Sequence, residues 1–343
     1  MSLPIHEAEI DPRGDFILRV SSENAEYHLR VSSKALCLAS SFFRDMLDPP
    51  TVRGGQAIQS ASFESPFKMD LKLDNYQALL IVLHAVHHRV RKIPKSLTLD
   101  EFYQLAILCN KYDLAEIFVS WVEVWKSKLG KVPGEKMAYG KWFVIAWVFR
   151  LSEAFEAVTR EMIYDASLSS GFVAEGGGRV EIGSVPDWVF ESFRDVQQRM
   201  ASHLLEVAAT EFVRFKSCLE TGSNVCESSY MFGVVRKPCP NRNACDANAL
   251  GGLVRCLFVA GLWPITLETT MSNIRTILLA FTSMGEISRY LTQDSSATHE
   301  LCGPGQRLQT EAQAVRSAIT GLSLSDFYRP DEIFFPIADE GPA

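Results

Sequence analysis

Leu29-Arg30-Val31-Ser32-Ser33-Lys34-Ala35-Leu36-Cys37-Leu38-Ala39-Ser40-Ser41-Phe42-Phe43-Arg44-Asp45-Met46-Leu47 decides how the chain is read. With Tyr27 and His28 before it, Leu29-Arg30-Val31 alternates apolar and polar at the period of a half-buried strand. Ser32 and Ser33 then offer side-chain oxygens to the unpaired N–H groups of a helix start. Leu36, Ala39, Phe43, Met46 and Leu47 follow at three- and four-residue spacings, which sets them on one helix face. Asp48-Pro49-Pro50 ends that helix, because proline has no N–H to donate.

Upstream, Asp15 to Val20 is a short apolar run with branched residues and reads as a strand, joined to Tyr27–Val31 as a hairpin through a polar turn. Downstream, 51–65 is polar and Gly-containing, a loop. Phe67, Met69 and Leu71 alternate with Lys68, Asp70 and Lys72 and predict a third strand. Asp74 is a candidate cap for a helix carrying Leu79, Leu80, Val82, Leu83 and Val86. Thr98-Leu99-Asp100-Glu101 fits the capping box that opens a helix, with Phe102, Leu105, Ala106, Leu108 and Cys109 inside it. Tyr112-Asp113-Leu114 ends that helix. Ala115 to Leu129 predicts one more, with Trp121 and Trp125. A small sheet with helical hairpins is an α+β layout.

These segments resemble the BTB/POZ family, particularly its fungal branch. The resemblance rests on 11–18 (DPRGDFIL), 29–47 and 105–113 (LAILCNKYD), and covers about a third of the chain. It implies a BTB/POZ domain over 11–128 that works as a protein-docking scaffold. Such domains dimerise, bind co-regulators or dock on cullin scaffolds of ubiquitin ligases, and bring no catalytic residues. Dimer-forming members often carry an extra element before the first core strand. About ten residues precede it here, which resembles the monomeric cullin adaptors and argues against a swapped homodimer.

Residues 137–328 predict a mostly α-helical C-terminal domain, after a loop-like joint at 130–140. Trp142, Ile145, Phe149, Leu151 and Phe155 suggest a helix or helix pair. Gly176-Gly177-Gly178 lies in a long loop without phosphate-loop spacing. Pro186-Asp187 opens a long helix whose apolar stripe holds Val189, Phe193, Val196, Met200, Leu204, Val207 and Ala208. Leu250–Leu262, Ser272–Met284 and Gln306–Thr320 predict further helices, and 321–327 a compact return. In fungal BTB-like proteins a helical half of this kind is familiar.

The chain has 343 residues, net charge −7 and 22% charged residues, an ordinary globular composition. The cluster His87-His88-Arg89-Val90-Arg91-Lys92, with Lys95, reads as a solvated loop, so no direct nucleic-acid partner is expected. No apolar run approaches the ~20 residues that cross a bilayer, and 1–10 lacks the pattern of a secretory signal. An intracellular location is expected, in cytoplasm or nucleus, and its reducing conditions favour thiols or metal ligands over disulfides. Arg13-Gly14-Asp15, an adhesion tripeptide in letters, is read as coincidence.

Cys218, Cys226, Cys239, Cys245 and Cys256 crowd together, and His299 and Cys302 follow as H-x-x-C. Zinc takes four tetrahedral thiolate and imidazole ligands, so Cys239, Cys245, His299 and Cys302 could form a closed structural site, in which Cys226 could replace Cys239. The alternative is a set of buried free thiols and a surface histidine. Cys37 and Cys109 read as packing residues. No G-x-S-x-G and no H-E-x-x-H occurs, so no enzyme activity is expected. The functional expectation is an adaptor that binds a cullin scaffold or another BTB chain and holds an unknown client. The alternatives are a dimeric transcriptional co-regulator and a zinc-dependent enzyme; the closed ligand set counts against the enzyme.

Overall fold

The computed structural model describes residues 4–21, 24–47, 61–71, 74–130, 136–165, 185–226, 229–232, 235–238, 241–265, 274–290 and 304–328. The chain is mixed α+β and mostly helical, with one four-stranded sheet near its start. It divides into two compact units. Unit 1 comprises 1–158, 178–186 and 323–343; unit 2 comprises 159–177 and 187–322.

Unit 1 opens with strands β1 (Ile5–Glu9), β2 (Phe16–Ser21), β3 (Glu26–Val31) and β4 (Phe67–Leu71), in the spatial order β1-β3-β2-β4. The expected hairpin is present: β2 and β3 pair antiparallel, Leu18 opposite Leu29. Phe16, Leu18, Val20, Leu29 and Val31 are all buried, as the alternation requires. β4 pairs parallel with β2, Leu18 opposite Met69. β1 is a correction to the sequence reading, which leaves the residues before Asp15 outside the sheet. It pairs parallel with β3 at one edge, Ile5 opposite Glu26.

The decisive stretch forms two helices, α1 (Ser33–Ala39) and α2 (Ser41–Leu47), and not the single helix expected. Ser32 caps α1, its side chain accepting from the Ala35 N–H. The break falls at Ser40, which is extended at φ −138°, ψ 126°. Its buried hydroxyl accepts from the Phe43 N–H at 3.0 Å and donates to the Tyr112 carbonyl at 2.6 Å. A side-chain acceptor that pairs with a nearby N–H competes with continuous helix.

α3 (Tyr76–Val86) is capped by Asn75, whose Oδ1 accepts from the Ala78 N–H at 3.0 Å. Asp74 therefore is not the cap; it turns inward. α4 (Leu99–Lys111) carries the full Thr98/Glu101 capping box. A 3-10 turn (Ala115–Phe118) leads into α5 (Val119–Leu129). α6 (Lys136–Val148) starts inside the stretch expected to be loop, and α7 (Ser152–Asp165) follows. α6, which the sequence reading places with residues 137–328, packs on α4 in unit 1. Phe102 stacks on Phe149 at 5.2 Å and meets Trp125 edge-on at 5.7 Å. Burying each such ring contributes about 1.5–3 kcal/mol. The return segment closes on the same unit: Trp147 packs against Phe327 and Tyr328, and the Arg150 guanidinium lies over the Tyr328 ring.

Unit 2 is built on α8 (Asp187–Thr221), against which α9 (Arg242–Val259), α10 (Ile274–Tyr290) and α11 (Pro304–Ala318) pack. α9 begins at Arg242, earlier than the expected Leu250. A short hairpin, β5 (Ser229–Phe232) and β6 (Val235–Pro238), was not expected. The buried stripe of α8 includes two polar residues. Gln197 donates to the carbonyls of Met162 and Ile163 in the last turn of α7, where helix carbonyls need donors from outside the helix. Glu211, fully buried, meets Arg307 at 2.8 Å and Arg214 at 3.4 Å, the pairing that a buried charge requires. No described helix is long and apolar enough to cross a membrane.

Candidate docking surface and candidate metal centre

The surface around the α1–α2 break combines rigid support with exposed apolar groups. Beneath it Asp74, only 4% exposed at its side chain, accepts from the Tyr112 hydroxyl and pairs with Lys111 at 2.5 Å. Burial, and then the bond to Asp74, pushes the Tyr112 hydroxyl far above its ordinary range, so it remains a donor. The Tyr112 carbonyl takes the Ser40 hydroxyl, and Ser41 donates to Asp113. Asp113 has φ 50°, the left-handed conformation that ends α4 and lets the chain turn. These bonds hold the break in one geometry. On the outside Leu38 is 84% exposed and Phe42 39%. Phe42 rests edge-on against Phe43 and Tyr112, at 5.5 and 5.2 Å.

Arg13-Gly14-Asp15 has a structural explanation. A Cβ on Gly14 would sit 2.3 Å from the Val31 carbonyl oxygen, so only glycine permits that approach. The Asp15 carboxylate accepts from the Ser33 N–H at 2.8 Å and from the Ser33 hydroxyl at 2.6 Å. An acid at the N-terminus of α1 also complements the helix dipole. The tripeptide joins β2 to the start of α1.

His84, His87 and His88 lie at the end of α3. His87 Nε2 accepts from the Ser32 N–H at 3.0 Å, and its Nδ1 faces the Leu83 carbonyl at 2.8 Å. Only the neutral ring with its proton on Nδ1 satisfies both. Burial, chiefly, lowers the titration of both His84 and His87. His87 thus joins the end of α3 to the start of α1.

No family model, curated protein or solved structure matches this chain. The residues themselves must therefore carry the functional reading.

Of the four expected zinc ligands, only Cys245 lies among the described residues; Cys239, His299 and Cys302 lie outside them. Cys245 sits in the first turn of α9 and packs against buried Cys226, its sequence-expected substitute partner. Among the described residues, no group of three or more His, Cys, Asp or Glu is arranged to hold a metal ion. What fixes this corner is Asp246, which sequence reasoning missed. Fully buried, its carboxylate accepts from the backbone N–H groups of Val225 and Cys226, each at 2.9 Å. The signal in sequence was faint: one acid in a helix beside apolar positions. Cys109 is buried and its thiol is pushed up by burial; Cys256 is pushed up for the same reason. Both are poor nucleophiles. Cys37 is half-buried against the Phe43 carbonyl, consistent with packing. Zinc analysis of the purified chain decides the metal set: about one tightly held equivalent supports it, and zinc-free folded protein ends it.

Proposed function

We propose that the chain is a protein-interaction adaptor and not an enzyme. In this reading unit 1 is a BTB/POZ-type docking platform, of the fungal kind, and the helical remainder holds a client. The platform engages a cullin-type scaffold. The observation that carries the reading is the α1–α2 break: the Ser40–Tyr112–Asp74 bonds fix it rigidly while Leu38 is left 84% exposed beside Phe42. Exposed apolar groups on a preformed surface are what a docking partner desolvates at little ordering cost. The element order, with a β2–β3 hairpin, two short helices and a parallel β4, supports the family resemblance.

The test is binding of the full chain to a purified cullin N-terminal region, with Leu38→Asp and Phe42→Asp as variants at exposed positions. Expected is saturable binding that the variants weaken by about tenfold or more. Absence of cullin binding, with no other partner dependent on Leu38 and Phe42, overturns the reading. A second reading, a homodimeric co-regulator, is favoured by β1, an element before the first core strand that lies exposed at the sheet edge. Unpaired edges template strand addition. Mass in solution separates the two readings: a monomer favours the adaptor and a stable dimer the co-regulator.

A further inference from the structure

We propose that the loop between α3 and α4 is a second docking site, one that captures an acidic polypeptide segment bearing an apolar residue. The proposal rests on unit 1 being a docking platform and names a separate site on it. The loop presents Arg89, Arg91, Lys92 and Lys95, and α5 adds Lys128, whose Nζ donates to the Lys95 carbonyl. None of these five makes an ion pair among the described residues, although the chain has more acids than bases, 41 against 34. Several cations elsewhere in unit 1 are matched by acids: Arg19 with Asp70, Lys111 with Asp74, Lys126 with Glu123. The acids that follow the loop in sequence are committed elsewhere. Asp100 pairs with Lys141, and Glu101 closes the capping box with Thr98. Among the described residues, no ion pair offsets the charge of these five cations.

The loop is also built to hold one shape. Val90–Lys92 forms a 3-10 turn. His88 takes φ 55°, with N–H bonds from His88 to Ala85 and from Arg89 to His84 closing the end of α3. Ile93 and Leu97 are buried anchors, and the Trp125 indole N–H donates to the Pro94 carbonyl at 2.9 Å. In the 3-10 turn Val90 is 53% exposed, flanked in sequence by Arg89 and by Arg91-Lys92. An exposed apolar group with cations on either side of it in sequence fits an acidic peptide that sets an apolar side chain on Val90 and carboxylates beside it. Single-stranded nucleic acid is recognised by aromatic stacking along a basic groove; the loop holds no Phe, Tyr or Trp, and the His87 ring is already committed to Ser32 and Leu83. Preorganisation reduces the ordering cost that a flexible basic tail would bear.

The test measures anisotropy of a labelled peptide of alternating Glu and Leu with the full chain, beside an alternating Glu and Ser peptide, a labelled RNA oligonucleotide and vesicles containing phosphatidylserine. Expected is binding of the Glu/Leu peptide that weakens by about tenfold or more in Arg91→Glu/Lys92→Glu and by about threefold in Val90→Ser. Binding also weakens as salt rises from about 0.05 to about 0.3 M. Equal binding by wild type and Arg91→Glu/Lys92→Glu overturns the proposal. So does tighter binding of the RNA or the vesicles, or indifference to Leu-to-Ser replacement in the peptide. The variants are at exposed positions, and unchanged circular dichroism establishes that they fold. If the peptide fails while cullin binding still depends on Leu38 and Phe42, this site is refuted and the platform reading stands. If cullin binding fails and the peptide binds as described, the reverse holds.

Discussion

His87 shows how one side chain can make stability depend on pH. Its two nitrogens are committed to the Ser32 N–H and the Leu83 carbonyl, an arrangement available only to the neutral ring. Burial is the main cause lowering its titration; Arg89 and His88 push the same way, while the Leu83 carbonyl and Asp11 oppose it. A histidine in the unfolded chain titrates near 6.5. Below about that pH the unfolded chain binds a proton that the folded His87 resists, so stability falls as pH drops from about 6.5 through the lowered folded value. His84, shifted the same way, adds to the slope. His87→Gln, whose amide oxygen can still accept from Ser32, is expected to flatten that slope in urea melts taken across the range. An unchanged slope would mean that His87 does not couple to folding. Asp246 is a second single-residue dependence. Asp246→Ala leaves two buried N–H groups without acceptors and is expected to cost about 2–4 kcal/mol, with protection from hydrogen exchange lost at Val225 and Cys226.

Among elements, the α1–α2 pair turns on Ser40. Ser40→Ala removes both the acceptor for the Phe43 N–H and the donor to the Tyr112 carbonyl. The expected loss is about 1–3 kcal/mol in denaturant unfolding. Loss of cullin binding beyond the loss in stability would tie the break to docking. The break was not legible in sequence, because Leu36, Phe43 and Leu47 fit one continuous helix; what interrupts it comes from Tyr112, far along the chain. The hairpin, β4 and the Thr98 box were legible, since their signals are local alternation and local capping. β1 left no signal because its side chains are mostly exposed and its pairing with β3 is through backbone. Asp74 was mistaken for a cap because adjacent Asn75 supplies the same chemistry, and only burial against Lys111 and Tyr112 separates the two. On α8, spacing favoured Val196, Met200 and Val207, which are half-buried, over Gln197 and Glu211, which are buried because carbonyls and arginines await them. Of the metal set, the sequence brought Cys226 and Cys245 to notice, and these two do pack together.

At the scale of the whole molecule, unit 1 runs to Val158, inside α7, and the segment from Ser323 onward belongs to it again. That return changes what counts as the first domain. A cut near residue 128 would strip α6 from α4 and expose Phe102, which stacks on Phe149, and Trp125, which packs on Phe102. The end of the chain matters to unit 1 for the same reason. Leu324 is buried, Phe327 meets Trp147 and Phe155, and Tyr328 lies between Trp147 and Arg150. Ending the chain after Leu322 removes these three side chains and leaves the Trp147 and Phe155 faces open. Each large apolar group lost from such a site costs about 2–4 kcal/mol. Hydrogen exchange on the shortened chain is therefore expected to show accelerated exchange in 142–149, while α8 and α9 in unit 2 keep their protection. Uniform acceleration in both units would mean that they unfold as one body. No change in 142–149 would mean that the return segment contributes nothing to the unit it joins.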